Sequence, residues 1–360
     1  MKRSRIVFST IVALAACQSA ICLAQHAEDV LTQSVEGRLA TGGIDVDFGV
    51  GVMGRRVYSQ AFDDFFAVNN PGWNSLVSGS SSMPSGAQAL PANADLEWDF
   101  LPMKIDGSIS NLFYWDGTGE VEFGSLPAAG YEFALQAKSG NFVFIYGAPE
   151  LVPGEVIDDT DSLGGMHVHR FWYLDDGDGS LDTDPIDGVY LVSIRTRMDT
   201  LDRSAPFYFL FRTLTTPAAA LTSAVVWTED RVDDLAPDFA ADFDGDLDVD
   251  GADFLIWQQG WGTTGSGALQ IAGDANFDNA IDSADLAVWE QQYGSNLANF
   301  AGATSSFVAA ATQVPEPDTA TLLLLAAIAA TRRIASPSRR PARGTSQRRA
   351  ALVPLAKRMN

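Results

Sequence analysis

Cysteine is nearly missing: the chain has two in 360 residues, Cys17 and Cys22, both within the first 24 positions. That is too few for a disulfide framework or a thiolate metal cluster. Histidine is almost as scarce, with three residues, so imidazole chemistry is confined to His26 and the pair His167 and His169. Basic residues are sparse through the middle of the chain. Of the 23 Lys and Arg, 12 lie within 2–5 and 332–358. Residues 25–318 therefore hold 11 bases against 46 acids, a net charge of −35 (11 − 46). A surface of that sign repels phosphate backbones and attracts cations, which argues against nucleic-acid binding. No nucleophile elbow, zinc-protease pair or phosphate loop is present. The glycine spacing Gly49, Gly51, Gly54 is followed by a strand pattern over 55–66, where a dinucleotide loop needs a helix.

The first 24 residues have the grammar of a secretion signal. Lys2, Arg3 and Arg5 precede an apolar stretch over 6–16, and a small residue, Ala24, closes the segment. Cleavage there would remove both cysteines and leave a mature chain without disulfides. The alternative is the lipoprotein-like Leu14-Ala15-Ala16-Cys17, which would leave Cys17 lipidated.

Over 44–228 the pattern is short apolar or alternating runs: 44–48, 57–66, 96–101, 112–115, 131–137, 142–146, 167–174, 189–197 and 207–212. Gly, Pro, Asn and Asp clusters separate them. Nine to eleven short strands without helical periodicity predict a mainly β body over 30–234, an antiparallel β-sandwich or jelly roll. The Ser-rich 75–89 segment reads as a surface loop.

From residue 237 the texture changes to an internal repeat with an offset of 32. Asp242, Asp246, Asp250, Asp253 and Trp257 recur as Asp274, Asp278, Asp282, Asp285 and Trp289. Hard calcium ions take several oxygen ligands from a short loop with side chains at alternate positions. Positions 1, 3, 5, 9 and 12 are Asp242, Asp244, Asp246, Asp250 and Asp253 in the first copy. In the second they are Asp274, Asn276, Asp278, Asp282 and Asp285. Position 7, Asp248 or Ala280, offers its carbonyl, and position 8, Val249 or Ile281, faces the core. After each loop an i, i+3, i+7 pattern puts Phe254, Trp257 and Trp261, or Leu286, Trp289 and Tyr293, on one helix face. Two such short helices must pack on each other.

These paired loop–helix motifs over 237–296 resemble the dockerin family. The resemblance implies two bound Ca2+ ions and a small all-α fold that docks onto cohesin modules. Two positions depart from the family pattern. Position 6, usually glycine, is Leu247 in one loop and Asn279 in the other. The family's partner-binding positions 10 and 11 are the small Gly251, Ala252, Ser283 and Ala284. Within the β body, Asp176, Asp178, Ser180, Asp182, Asp184 and Asp187 repeat the alternate oxygen spacing. They form either a hydrophilic hairpin loop or a third calcium site.

A linker, 297–313, leads to Pro315, Glu316 and Pro317, an apolar run over 319–330, then Arg332 and Arg333 and a basic tail, 335–360. The 314–334 segment resembles the PEP-CTERM sorting signal. That resemblance implies recognition by an exosortase, inner-membrane insertion through the C-terminal hydrophobic helix and a cell-surface or extracellular destination. The arginines behind the apolar run would orient the basic end toward the cytoplasm.

Three further constellations are candidates in the body. His167 and His169 alternate on a strand, so they face one side and could share a metal, although no third ligand stands at readable spacing. Glu97 with Asp99, and Glu120 with Glu122, are carboxylate pairs of the residue type glycosidases use. Trp73, Trp98, Trp115 and Trp172 could stack on an envelope glycan, or pack in the core. The leading expectation is a non-catalytic surface or matrix protein, and the alternative is a polysaccharide hydrolase or lyase delivered by its dockerin-like module.

Overall fold

The computed structural model describes residues 29–45, 50–177 and 185–302. Strand outweighs helix, 36% against 16%, so the chain is mainly β. The strand Val189–Arg197 explains much of the architecture. It pairs antiparallel with Asp95–Leu101, Phe207–Arg212 and Leu112–Trp115, and the sheet extends outward to Val152–Asp159 and Val57–Ala61. Its side chains alternate between two cores. Tyr190, Val192 and Ile194 enter one, while Val189 and Leu191 enter the other. Phe207, Phe209 and Phe211 alternate with Tyr208 and Leu210 in the same way. A strand buried on both faces is apolar in consecutive positions, as 189–192 and 207–211 are, while Ser193, Arg195 and Thr196 are buried polar residues further along the first strand.

The first core also takes Val30, Leu39 and Trp73 from a second six-stranded sheet, and Phe133, Leu135, Trp172 and Leu174 from a four-stranded sheet. Trp172 and Phe209 bring their ring centroids to 4.5 Å. Each fully buried side chain of this size contributes on the order of 2–3 kcal/mol by leaving water. The second core is closed by helix α1, Ala218–Glu229, which lays Ala220 and Ala224 over Tyr208 and Leu210.

Several local expectations needed revision. The helix α1 falls in a stretch read as free of helices, although Pro217 before three alanines is a helix-start signal. The run 167–174 divides into Met166–Val168 and Trp172–Asp175, which belong to different sheets. Two pairings are parallel, Asp29–Val35 with Trp73–Ser75 and Phe207–Arg212 with Val57–Ala61. The 75–89 segment is mainly turns, with Ala87–Gln88 pairing to Asp29–Val35.

Beyond α1 come α2, Gly251–Gly260, α3, Ser283–Gln292, and α4, Leu297–Gly302. A third core gathers Phe243, Val249, Trp257, Ala275 and Ile281. Leu247 crosses from this region into the second core. Among the described residues, no helix is long and apolar enough to cross a membrane.

Candidate metal centres

Each acidic loop opens on a buried aspartate that ties the turn together. Asp242 accepts the backbone N–H groups of Gly245 at 2.6 Å and Leu247 at 3.1 Å. Asp274 accepts those of Asp278 at 3.3 Å and Asn279 at 2.9 Å. The far end closes in matching fashion. Asp253 accepts from Phe243 at 2.6 Å and Asp250 at 2.8 Å; Asp285 accepts from Ala275 and Asp282, both at 2.8 Å. Asp250 and Asp282 cap α2 and α3, and Asp253 and Asp285 complete a capping box in each. Position 6 lies in the left-handed region in both copies, with φ of 71° at Leu247 and 64° at Asn279. Val249 and Ile281 at position 8 are buried, as their apolar character predicts.

The two copies brace one another. Val249 donates its N–H to Ser295 and accepts from Gly294, while Ile281 donates to Thr263 and accepts from Gly262, all at 2.8–2.9 Å. Phe254 of α2 meets Trp289 of α3 with ring centroids 5.1 Å apart. Trp261 and Tyr293 do not share the packed face: each follows its helix as the C-cap residue and is more than half exposed. The helices stop one position before the i+7 residue reaches the seam.

The first loop is also anchored to the β body. Arg195 donates to the carbonyl of Gly245 at 2.6 Å, and Arg203 to that of Asp244 at 2.7 Å. A Cβ at Gly245, where φ is 82°, would sit 2.3 Å from the Arg203 guanidinium carbon. Glycine is required there by both conformation and space. The second loop has Phe277 at the same position, partly exposed, with the Arg38 guanidinium 5.0 Å from its ring centroid. Between the repeats, the Gln270 N–H donates to the buried carboxylate of Asp202, whose own carbonyl accepts from Leu39.

Among the described residues, three clusters place ligand atoms within 4.8 Å of one another: Asp242, Asp244 and Asp246; Asp248, Asp250 and Asp253; and Asp29, His167 and His169. These acidic and histidine groups could hold a metal ion. The first loop is electrostatically loaded. Burial pushes the Asp242 carboxyl up to about 6 against the pull of Arg195 and Arg203. Burial, and then neighbouring carboxylates, raise Asp244 and Asp248. Asp253 and Asp274 are raised chiefly by burial. A cation among these oxygens offsets both causes. Comparison with protein-family models, curated proteins and solved structures finds no match.

The other candidate residues are dispersed. Gly251, Ala252, Ser283 and Ala284 form the exposed first turns of α2 and α3. In the 176–187 loop, Asp178, Ser180, Asp182 and Asp184 lie outside the described residues; of its flanks, Asp187 accepts the Thr213 hydroxyl at 2.7 Å. The 1–24 leader, Pro315, Glu316, Pro317, Arg332 and Arg333 also lie outside them. Trp73, Trp98, Trp115 and Trp172 are buried, which removes them as glycan-stacking surfaces. Glu97 and Asp99 are held by arginines: Asp99 by Arg195 at 3.1 Å and Arg197 at 3.2 Å, and Glu97 by Arg197. Glu120 and Glu122 are exposed residues of a loop. Asp29 joined the histidines without any sequence signal, because only strand pairing brings it there.

Proposed function

We propose that this chain is an exported cell-surface or matrix protein, non-catalytic, in which a β-sandwich body carries a calcium-stabilised, dockerin-like helix pair. The single observation that carries the reading is the residue-by-residue agreement of the two acidic loops. Asp242 and Asp274, Asp253 and Asp285, and the left-handed Leu247 and Asn279 play the same parts at an offset of 32. A solvated acidic surface has no reason to repeat backbone geometry at that resolution. A loop shaped for alternate oxygen ligands does. The cation expected is Ca2+, since every side-chain donor is a carboxylate or an amide oxygen. On this reading the leader exports the chain, the PEP-CTERM-like tail engages an exosortase, and the β body meets a glycan or another envelope component. A cohesin-like partner would have to grip the small residues Gly251, Ala252, Ser283 and Ala284.

Calorimetric titration of the chelator-stripped full chain with Ca2+ tests this reading. Two equivalents should bind, with the thermal unfolding midpoint rising as they do. Absence of binding at millimolar calcium would remove the proposal. Reducing-sugar release from envelope polysaccharides would instead favour a hydrolase.

A further inference from the structure

Asp29 and His167 lie in the second six-stranded sheet, with His169 just past the strand Met166–Val168; all three are remote in sequence from the acidic loops, and their geometry is that of a different kind of site. Trp73–Ser75 runs between Asp29–Val35 and Met166–Val168, so the outer two strands meet across it. The His167 and His169 Nε2 atoms are 3.2 Å apart. Asp29 Oδ2 stands 3.8 Å from the first and 4.0 Å from the second. The point equidistant from three atoms so spaced lies about 2.1 Å from each, as the product of the sides over four times the triangle's area. That equals the zinc–imidazole and zinc–carboxylate bond lengths of roughly 2.0–2.2 Å.

The surrounding groups aim these atoms inward. His169 Nδ1 is 2.9 Å from the Asn69 carbonyl. A carbonyl only accepts, so Nδ1 carries the proton and neutral His169 keeps its lone pair on Nε2. Asp29, fully buried, accepts the Gly72 N–H at 2.7 Å on Oδ1 and the Asn74 amide at 2.9 Å on Oδ2. These bonds to a backbone carbonyl, a backbone N–H and a side-chain amide are the outer contacts that orient metal ligands. Gly72 is needed for the approach. A Cβ there would fall 2.6 Å from His169 Cε1 and 2.9 Å from Asp29 Oδ2.

We propose that Asp29, His167 and His169 form a binding site for a divalent transition metal of the zinc class, pinning the strand Asp29–Val35 to Met166–Val168 across Trp73–Ser75. Two imidazoles select against calcium, which prefers oxygen throughout. His167 is 40% exposed at its side chain, so the ion stays accessible and a coordination position opens toward water.

The test is calorimetric titration of the full chain with Zn2+ in excess calcium, which keeps the acidic loops occupied. One equivalent should bind, and His167→Gln should weaken it at least tenfold while circular dichroism stays unchanged. Exposed His167 makes that variant safe for folding; Asp29→Asn is the second variant, with the same expectation. Equal zinc affinity in the parent and His167→Gln, or no stoichiometric zinc binding, would each overturn the proposal.

Discussion

Trp257 of α2 donates its indole N–H to the backbone carbonyl of Asp282, 3.0 Å away, and Asp282 is the N-cap of α3. Trp289 of α3 returns the same bond to Asp250, the N-cap of α2, also at 3.0 Å. Each helix thus fixes the start of the other, at the point where an acidic loop ends. Trp257→Phe keeps most of the apolar area but removes the donor, and should cost about 1 kcal/mol from the hydrogen bond, plus a smaller packing loss. Trp289→Phe should cost a similar amount. Urea unfolding of the chelator-treated chain measures both, and unchanged midpoints would show that the clamp carries no stability.

Leu247 and Asn279 occupy the same left-handed position with opposite consequences. Leu247 is buried in the second core beside the β body, whereas Asn279 is exposed. A leucine in this conformation costs roughly 1–2 kcal/mol, which the burial of its side chain offsets. Leu247→Ala should therefore destabilise by about 2–4 kcal/mol. Asn279→Gly should be neutral or stabilise by less than about 1 kcal/mol, since glycine relieves the backbone and nothing is unburied. Thermal unfolding of both variants with calcium present checks the contrast. A larger loss at Asn279 than at Leu247 would contradict it.

Much of this was legible because it is local. Short apolar runs over 189–197 and 207–212 gave strands at those bounds, and apolar position 8 in each loop gave Val249 and Ile281 as core residues. What escaped was non-local. Nothing near Trp73, Trp98 or Trp172 in sequence says that three sheets converge on them. Glu97 and Asp99 looked available until strand pairing set Arg195 and Arg197 alongside. Leu247 looked like a flaw in a calcium loop because the core that receives it comes from a distant part of the chain. Asp29 could be matched to His167 only through an intervening strand. The α1 helix was different: its proline and alanines were a local signal, outweighed by the strand-rich context.

Asp202 predicts a pH dependence of opposite sign to that of an ordinary surface carboxylate. Burial pushes its carboxyl up to about 6, only partly countered by the N–H groups of Gln270 and Ile271 and by Arg38. The folded chain then holds the proton more tightly than the unfolded chain, whose aspartate titrates near ~3.9. Between these values the native state binds more protons, so the Asp202 contribution to stability falls as pH rises from about 4 to 6. The upper limit is roughly 3 kcal/mol. Asp202→Asn keeps an acceptor for Gln270 and removes the titration. In chelator, the stability difference between variant and parent should grow in the variant's favour over that range and level off above it. A pH-independent difference would refute the assignment.

Asp244 separates what the first loop costs without a cation from what it does with one. It is exposed, yet its carboxyl is raised by burial of the site and by the neighbouring Asp246, Asp253 and Asp250 charges. Its Oδ1 also accepts the Asp246 N–H at 3.3 Å, a bond that an asparagine oxygen can keep. Asp244→Asn therefore removes repulsion while preserving the turn. Without calcium the variant should unfold at a higher temperature than the parent. With saturating calcium the order should reverse, because position 3 has lost a charged ligand and the ion now stabilises less. Scanning calorimetry of the two full-length proteins, with chelator and with calcium, reads the crossing directly. If the variant is the less stable protein under both conditions, Asp244 supports the loop without a cation and is no source of strain in it. If it is the more stable under both, no ion is drawn to the loop through this carboxylate.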